Sequence, residues 1–234
     1  RSILPDSPYW CSMQARCVCT AQRCSPLNPV EMASTSFDEI IAKLAEDKHY
    51  VEEFGALYAD GITEANITNA IEEFERTLVT PNSKFDQWLM GNNEALTADE
   101  LHGYELFKAN NCATCHVGAN LGGESYELMG LRQHYFEARG TELTEEDNGR
   151  YKQTKEERDR HRFKVPGLRN IELTWPYYHD GTRATMEEAV RDMALYQCDV
   201  ELTDAEVASI VAFMRTLTGE YQGKKLTSDN KNPF

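Results

Sequence analysis

The chain has 234 residues, of which 41% are hydrophobic and 27% charged, and its formal net charge is −15. That composition is ordinary for a globular protein in water, and the length allows one domain or two small ones. The negative charge disfavours nucleic acid and anionic membrane as partners and favours cationic ones, a small basic redox protein among them, although it would serve solubility alone equally well.

No apolar run is long enough to span a bilayer. The N-terminal "RSILPDSPYWCSM" lacks the continuous apolar segment of a signal peptide, and it starts at Arg1 without an initiator Met, as expected of a processed product or fragment. Residues 1–30 have no clear periodicity and hold Cys11, Cys17, Cys19 and Cys24. None of these four is followed by His, and their spacing suits zinc poorly. Disulfides and free thiols both stay open for them.

From Ser36 the pattern becomes helical. "SFDEIIAKLAED" starts with Ser36 and Glu39 at capping-box spacing, followed by Phe37, Ile40, Ile41 and Leu44 at helical intervals. "TEANITNAIEEFERTLVT" sets Ile67, Ala70, Ile71, Phe74 and Leu78 on one face and is stopped by Pro81. "NSKFDQWLMG" reads as a short helix closed by Gly91. "LTADELHGYELFKAN" is capped by Thr97 and Glu100 and runs into "NNCATCHVGANLGG".

Residues 119–165 read mainly as loop, with the charged run "TKEERDRHRF" expected to be solvated. "KVPGLRNIELTWPYYHDG" reads as extended loop, from its prolines and glycines. Two more helices follow: "TMEEAVRDMALYQ", capped by Thr185 and Glu188, and "TDAEVASIVAFMRTLTG", capped by Thr203 and Glu206. In the second, Val207, Ile210, Val211 and Met214 should face inward. No strand pattern or repeat period emerges, so the expected fold is all-α with long loops.

Cys112, Cys115 and His116 stand in the order C-x-x-C-H, which occurs once in the chain. This is the attachment pattern of a c-type haem: two thiols form thioethers to the vinyls, and the adjacent His reaches the iron. A thioredoxin-like C-x-x-C would need alternating strands and helices, which are lacking. A second, soft axial ligand would favour ferrous iron and raise the potential, whereas an open position would admit small molecules. Downstream candidates are Met129, Met186, Met193, Met214 and His179. Met214 lies in an apolar stripe and is expected in the core. Met186 and Met193 share a helix, and spacing favours Met193 only slightly.

The stretches "NITNAIEEFERTLVTPNSKFDQWLMGNNEALTADELHGYELFKANNCATCHVG" and "FKVPGLRNIELTWPYYHDGTRATMEEAVRDMALYQ" closely resemble the bacterial di-haem cytochrome c peroxidases, over about residues 26–220. The resemblance implies a periplasmic enzyme that reduces hydrogen peroxide with electrons from a small cytochrome c or blue-copper protein. Each half of such an enzyme carries one haem c, and family members are commonly homodimers. Cys112, Cys115 and His116 then match the electron-accepting, high-potential haem, and the family's axial Met falls on Met193. The related tryptophan-modifying oxidases carry Tyr there. The resemblance also implies a calcium ion held partly by backbone carbonyls matching Thr174 and Pro176. Glu31, in "NPVEM", matches an acidic residue that shuttles protons beside the peroxide-binding haem.

The family's first C-x-x-C-H and its distal His would lie upstream of Arg1, and residues 1–25 do not follow the family pattern. This suggests a truncated or frame-damaged coding sequence, which resequencing the upstream DNA would test. The expected organisation is residues 1–25 unmatched, 26–79 a helical remnant of the peroxidatic haem domain, and 80–234 a cytochrome c-like electron-transfer domain. Three readings follow: the relay half of a cytochrome c peroxidase, poorly active alone; a mono-haem electron carrier; and a di-haem oxidase acting on protein.

Overall fold

The computed structural model describes residues 34–228, which leaves Glu31, Cys11, Cys17, Cys19 and Cys24 outside the described residues. The chain divides into two compact units, one up to Val79 and one from Thr80 onward.

Among its described residues the first unit holds three helices: α1 (Phe37–Ala45), α2 (Lys48–Leu57) and α3 (Glu64–Thr77). Ser36 caps α1 by accepting from the Glu39 amide at 3.2 Å. The Glu39 carboxylate reaches back to the Thr35 amide rather than to Ser36, so only half of the expected box forms. Helix α2, capped by Asp47, has no counterpart in the sequence reading. Half of its residues are apolar, but Tyr50, Val51 and Leu57 are exposed, so they do not form a buried stripe. In α3, Ile67 is buried and Phe74 is exposed.

The second unit is built on four helices: α4 (Lys84–Leu89), α5 (Ala98–Ala109), α8 (Met186–Cys198) and α9 (Asp204–Arg215). Each starts with a full capping box, formed by Ser83 with Asp86, Thr97 with Glu100, Thr185 with Glu188 and Thr203 with Glu206. Each box satisfies two backbone donors that a helix start leaves orphaned. Between α5 and α8 lie two single-turn helices, α6 (Tyr135–Arg139) and α7 (Tyr151–Thr154).

Helix α9 is the centre of this unit. Val207, Ile210 and Val211 pack with Met186, Val190 and Tyr177. Phe213, with Leu217 just beyond the helix, packs with Phe85, Leu96, Phe107, Leu121 and Leu168. Each large apolar side chain buried in this way contributes about 1.5–3 kcal/mol. Met214 touches both clusters, as its stripe position predicts.

Helices α5 and α9 cross at a point of backbone contact. A Cβ on Gly103 would lie 1.8 Å from the Ser209 carbonyl oxygen. Any side chain at 103 would therefore push the helices apart. Beside the crossing, the Ser209 hydroxyl donates to Asp99 at 2.6 Å.

Two small antiparallel sheets depart from the all-helical expectation. Strand β1 (Tyr126–Leu128) pairs with β2 (Arg162–Lys164), and β3 (Glu220–Tyr221) pairs with β4 (Lys224–Lys225). Strands of two or three residues are too short to show alternation. The charged run before β2 is also less solvated than expected. Asp159 is buried and pairs with Arg150 at 3.3 Å, and the His161 ring nitrogen meets the Asp147 carbonyl at 2.6 Å. The fold is otherwise helical with long connections, as the sequence suggests.

Candidate haem-attachment site

Helix α5 ends at Asn110, and Asn111 turns the chain through the left-handed region at φ 62°. A 3₁₀ turn, Cys112–Thr114, follows at once. It is closed by hydrogen bonds from the Cys115 and His116 amides to the Cys112 carbonyl, at 3.3 and 3.1 Å. The turn thus places Cys112, Cys115 and His116 together directly after α5. Cys112 and Ala113 pack on the Phe107–Phe213 cluster, which ties the turn to the core.

The loop after the turn is stapled to residues 165–169 almost wholly by backbone. The Gly123 amide donates to Val165 at 2.7 Å, and Leu168 donates to Asn120 at 2.9 Å. Gly122, at φ 140°, lies so close to Pro166 that a Cβ would meet its carbonyl oxygen at 2.0 Å. Arg169 completes the staple. Its Nε donates to the Ala119 carbonyl at 2.7 Å, and its other nitrogens bind Asp86 at 2.6 and 3.0 Å. Arg169 and Asp86 thus form a largely buried structural pair.

His116 Nδ1 lies 3.0 Å from the Leu121 carbonyl oxygen. A carbonyl only accepts, so Nδ1 carries the proton and the lone pair of the neutral ring sits on Nε2. Burial lowers the imidazole pKa, while the Leu121 and Pro166 carbonyls oppose the shift. A neutral imidazole with a carbonyl-fixed tautomer is what metal ligation requires. Cys112 and Cys115 are not joined to each other, so both thiols are free for thioether formation. On donor chemistry and placement, the turn fits a covalently held haem.

The methionine candidates separate by environment. Met186 is buried in the α8–α9 core. Met129 is buried, and its sulfur accepts from Gln197 at 3.7 Å. Met193, two turns along α8 from Met186, is half-buried and belongs to neither core cluster.

His179 is engaged by a carboxylate. Its Nε2 meets Asp147 at 2.7 Å, and its ring stacks on Phe163 at 4.3 Å. Asp147 is 1% exposed and takes a two-point contact from Arg139, at 2.8 and 2.7 Å. Arg139 also reaches Asp180 at 2.9 Å. The Arg139 hydrogen bond, then the Thr144 amide and His179, hold the Asp147 carboxyl far below its ordinary range against the effect of burial. Ligand atoms of Asp147, His179 and Asp180 lie within 4.8 Å of one another. This is a donor set of metal-binding type, but Arg139 already supplies the balancing positive charge. Local sequence gave no sign of this network, because its members come from four separate segments.

Tyr177 is buried, with its hydroxyl donating to Ile171 at 3.2 Å, and Tyr178 donates to Ala189 at 2.9 Å. Both pack as core aromatics, whereas Trp175 is exposed. Thr174 and Pro176 flank Trp175 on the same exposed loop. Cys198 is the last residue of α8 and is half-buried, and the Cys112 sulfur meets the Asn110 carbonyl at 3.9 Å.

The family model for di-haem cytochrome c peroxidase matches residues 12–94, reaching into the stretch that sequence reading left unmatched, and the cytochrome c model matches residues 101–218. The chain is 52% identical over 196 residues to a cytochrome c peroxidase of Escherichia coli, covering 84% of this chain and 42% of that protein. It is 48% identical over 212 residues to cytochrome c551 peroxidase of Nitrosomonas europaea, covering 88% and 61% respectively. The chain therefore spans about half the length of the curated relatives it matches. A crystal structure of a MauG-like protein associated with microbial copper homeostasis superposes with a TM-score of 0.69 at 28% identity, over 86% of this chain and 68% of that one. The identity to the peroxidases is well above that to the MauG-like protein, and the Cys112–His116 turn lies within the cytochrome c match. The chain belongs to the bacterial di-haem cytochrome c peroxidase family, with a cytochrome c domain over residues 101–218.

Proposed function

We propose that this chain serves in a cytochrome c peroxidase, as the part that accepts electrons from a small redox protein and relays them towards hydrogen peroxide. The observation that carries this reading is the attachment turn itself: two thiols not joined to each other and a neutral, tautomer-fixed His116 in a member of the peroxidase family. When bound, the haem supplies a one-electron couple whose potential follows its axial ligands. Cys112 and Cys115 would anchor it, with His116 on one face and Met193 on the other. Met193 is favoured because Met186, Met129 and Met214 are engaged elsewhere. A thioether opposite an imidazole raises the potential, which suits an electron acceptor.

Under this reading His116 and Met193 would together hold the iron in this chain, and peroxide reduction would fall to a second haem, held by the portion of the relatives that this chain does not span. Glu31 would move protons there as a general acid–base. The Thr174 and Pro176 carbonyls would contribute to a calcium ion, a cation that takes oxygen ligands. The setting is the periplasm, the donor a small cytochrome c or blue-copper protein, and the assembly a homodimer.

A haem count per chain after expression in a host that matures c-type cytochromes tests the proposal. It predicts one haem, single-electron redox cycling at high potential and little peroxide turnover. Two haems, or robust turnover by this chain alone, would overturn it. The second reading, a mono-haem electron carrier, is favoured by the single C-x-x-C-H in the sequence. The two separate on whether adding a chain that bears the family's other haem restores peroxide reduction.

A further inference from the structure

The loop that carries the His116 acceptor is closed carbonyl by carbonyl. The Gly122 amide donates to Val117 at 2.8 Å, the Leu121 amide to Gly118 at 3.1 Å and the Leu168 amide to Asn120 at 2.9 Å. The Leu121 carbonyl faces His116 Nδ1 at 3.0 Å. Ala119, alone in this run, is held by a cation: its carbonyl accepts from Arg169 Nε at 2.7 Å. The same guanidinium binds both oxygens of Asp86, at 2.6 and 3.0 Å. Asp86 is itself fixed by the capping box of α4, where it takes the amide of Ser83, a buried residue, at 3.0 Å. One planar fork thus ties the loop to the start of α4.

Leu121 needs such a tie. Its φ of 48° lies in the left-handed region, which a residue with a Cβ adopts at a cost. Its side chain is buried in the cluster of Phe107 and Phe213, and the carbonyls before it are pinned as described. A backbone held in this way keeps its strain only while its surroundings over-determine it. When a tie is cut, the group free to move is the carbonyl on His116.

We propose that Arg169, held by Asp86, is a positioning residue for the haem: it fixes the Leu121 carbonyl on His116 Nδ1 and so sets how strongly the imidazole donates to iron. A ligating His whose other ring N–H is held by an acceptor is the more basic ligand. Stronger donation favours ferric iron, so this contact trims the potential below the value that the axial pair alone would give. An arginine is required because its donors must act together in one plane, Nε on Ala119 and two more on Asp86. A lysine has the charge but not the fork.

The inference rests on the haem reading of the turn, and its test uses the full chain with haem attached. Arg169→Lys keeps the positive charge, so a shift in this variant does not come from a lost cation. In a redox titration at fixed ambient potential, its equilibrium should move about threefold towards ferrous iron. In proton NMR of the reduced chain, the His116 Nδ1 proton should exchange with D2O about tenfold faster than in the unsubstituted chain. Asp86→Glu keeps both charges and leaves a carboxylate at the third position of the capping box. It should move both readings the same way by less, and it carries the test if Arg169→Lys does not fold. The control is Arg139→Lys, the same substitution in the fork on Asp147, which takes no partner from the attachment loop. It should lose stability and leave both readings in place. Unmoved readings in Arg169→Lys, or equal shifts in Arg139→Lys, would overturn the proposal, the second by showing a general loosening. A chain that attaches no haem defeats the proposed function as well, whereas an attached haem with unmoved readings removes this inference alone.

Discussion

The attachment turn and the loop around Asp147 are both irregular, polar and rich in residues that bind metals, yet they are held in opposite ways. The turn and its following loop are fixed mainly by backbone: the 3₁₀ closure, the Gly123 and Leu168 amides and the Leu121 carbonyl. Its chemically active side chains are left uncharged and uncommitted to ion pairs. The second loop is fixed by side chains: Arg139 on Asp147 and Asp180, and His179 on Asp147. There the reactive groups consume one another. A cofactor site needs the first arrangement, because a ligand already neutralised by an ion pair has little left to offer. A cluster such as Asp147, His179 and Asp180 can therefore look like a metal centre and act as scaffold.

Experiments can break or sharpen that contrast. The largest effect is expected from Cys112→Ala combined with Cys115→Ala, which should abolish covalent haem. Haem stain retained after denaturation should fall more than tenfold, with the helical circular dichroism of the chain retained. Next comes Asp147→Ala, which removes the two-point partner of buried Arg139 and leaves it Asp180 alone. Breaking a buried pair from one side typically costs about 3–5 kcal/mol, which urea denaturation would measure. The same carboxylate sets an acid limit. Its folded pKa is depressed below the ordinary 3.8, so its stabilisation is complete above that value and is lost as pH falls below it. Asp147→Asn should flatten that part of the stability–pH curve, and an unchanged acid slope would mean that other carboxylates dominate.

Met193→Leu should remove the sulfur–iron charge-transfer band and lower the potential on the order of 100 mV, a fraction of the ~0.8 V range that axial ligands command. Met186→Leu, a volume-conserving change in the core, should cost under about 1.5 kcal/mol and leave the band in place. The reverse pattern would reassign the ligand. The smallest effect belongs to Lys84→Ala. Its pair with Glu100, at 2.5 Å, is partly exposed on the lysine side, and such pairs contribute about 0–1 kcal/mol.

What could be read from the sequence follows the same division. Local signals were reliable. The boxes Thr97–Glu100, Thr185–Glu188 and Thr203–Glu206 marked helix starts because each closes within one turn. The C-x-x-C-H pattern marked the turn because its chemistry is contiguous. Signals spread along the chain were not legible. Arg139, Asp147 and His179 meet only after folding, so the charged run near them read as solvated. Helix α2 was missed for a different reason: its apolar residues are largely exposed, so burial imposes no period on them. The choice between Met186 and Met193 was open on spacing, and the environments now separate them: Met186 lies in the α8–α9 core, whereas Met193 belongs to neither core cluster.

The contact between Gly103 and Ser209 has a mechanical consequence. Helix α5 continues from Gly103 to Ala109, about 9 Å at 1.5 Å per residue, and delivers Cys112 just past its tip. The crossing acts as a pivot and the helix as the arm beyond it. Prying the pivot open with a methyl group would swing the far end of that arm. The thiols and His116 would then move as one body relative to α8, which carries both Met193 and Cys198. The spacing between the attachment turn and α8 is thus set partly by an atom that residue 103 does not have.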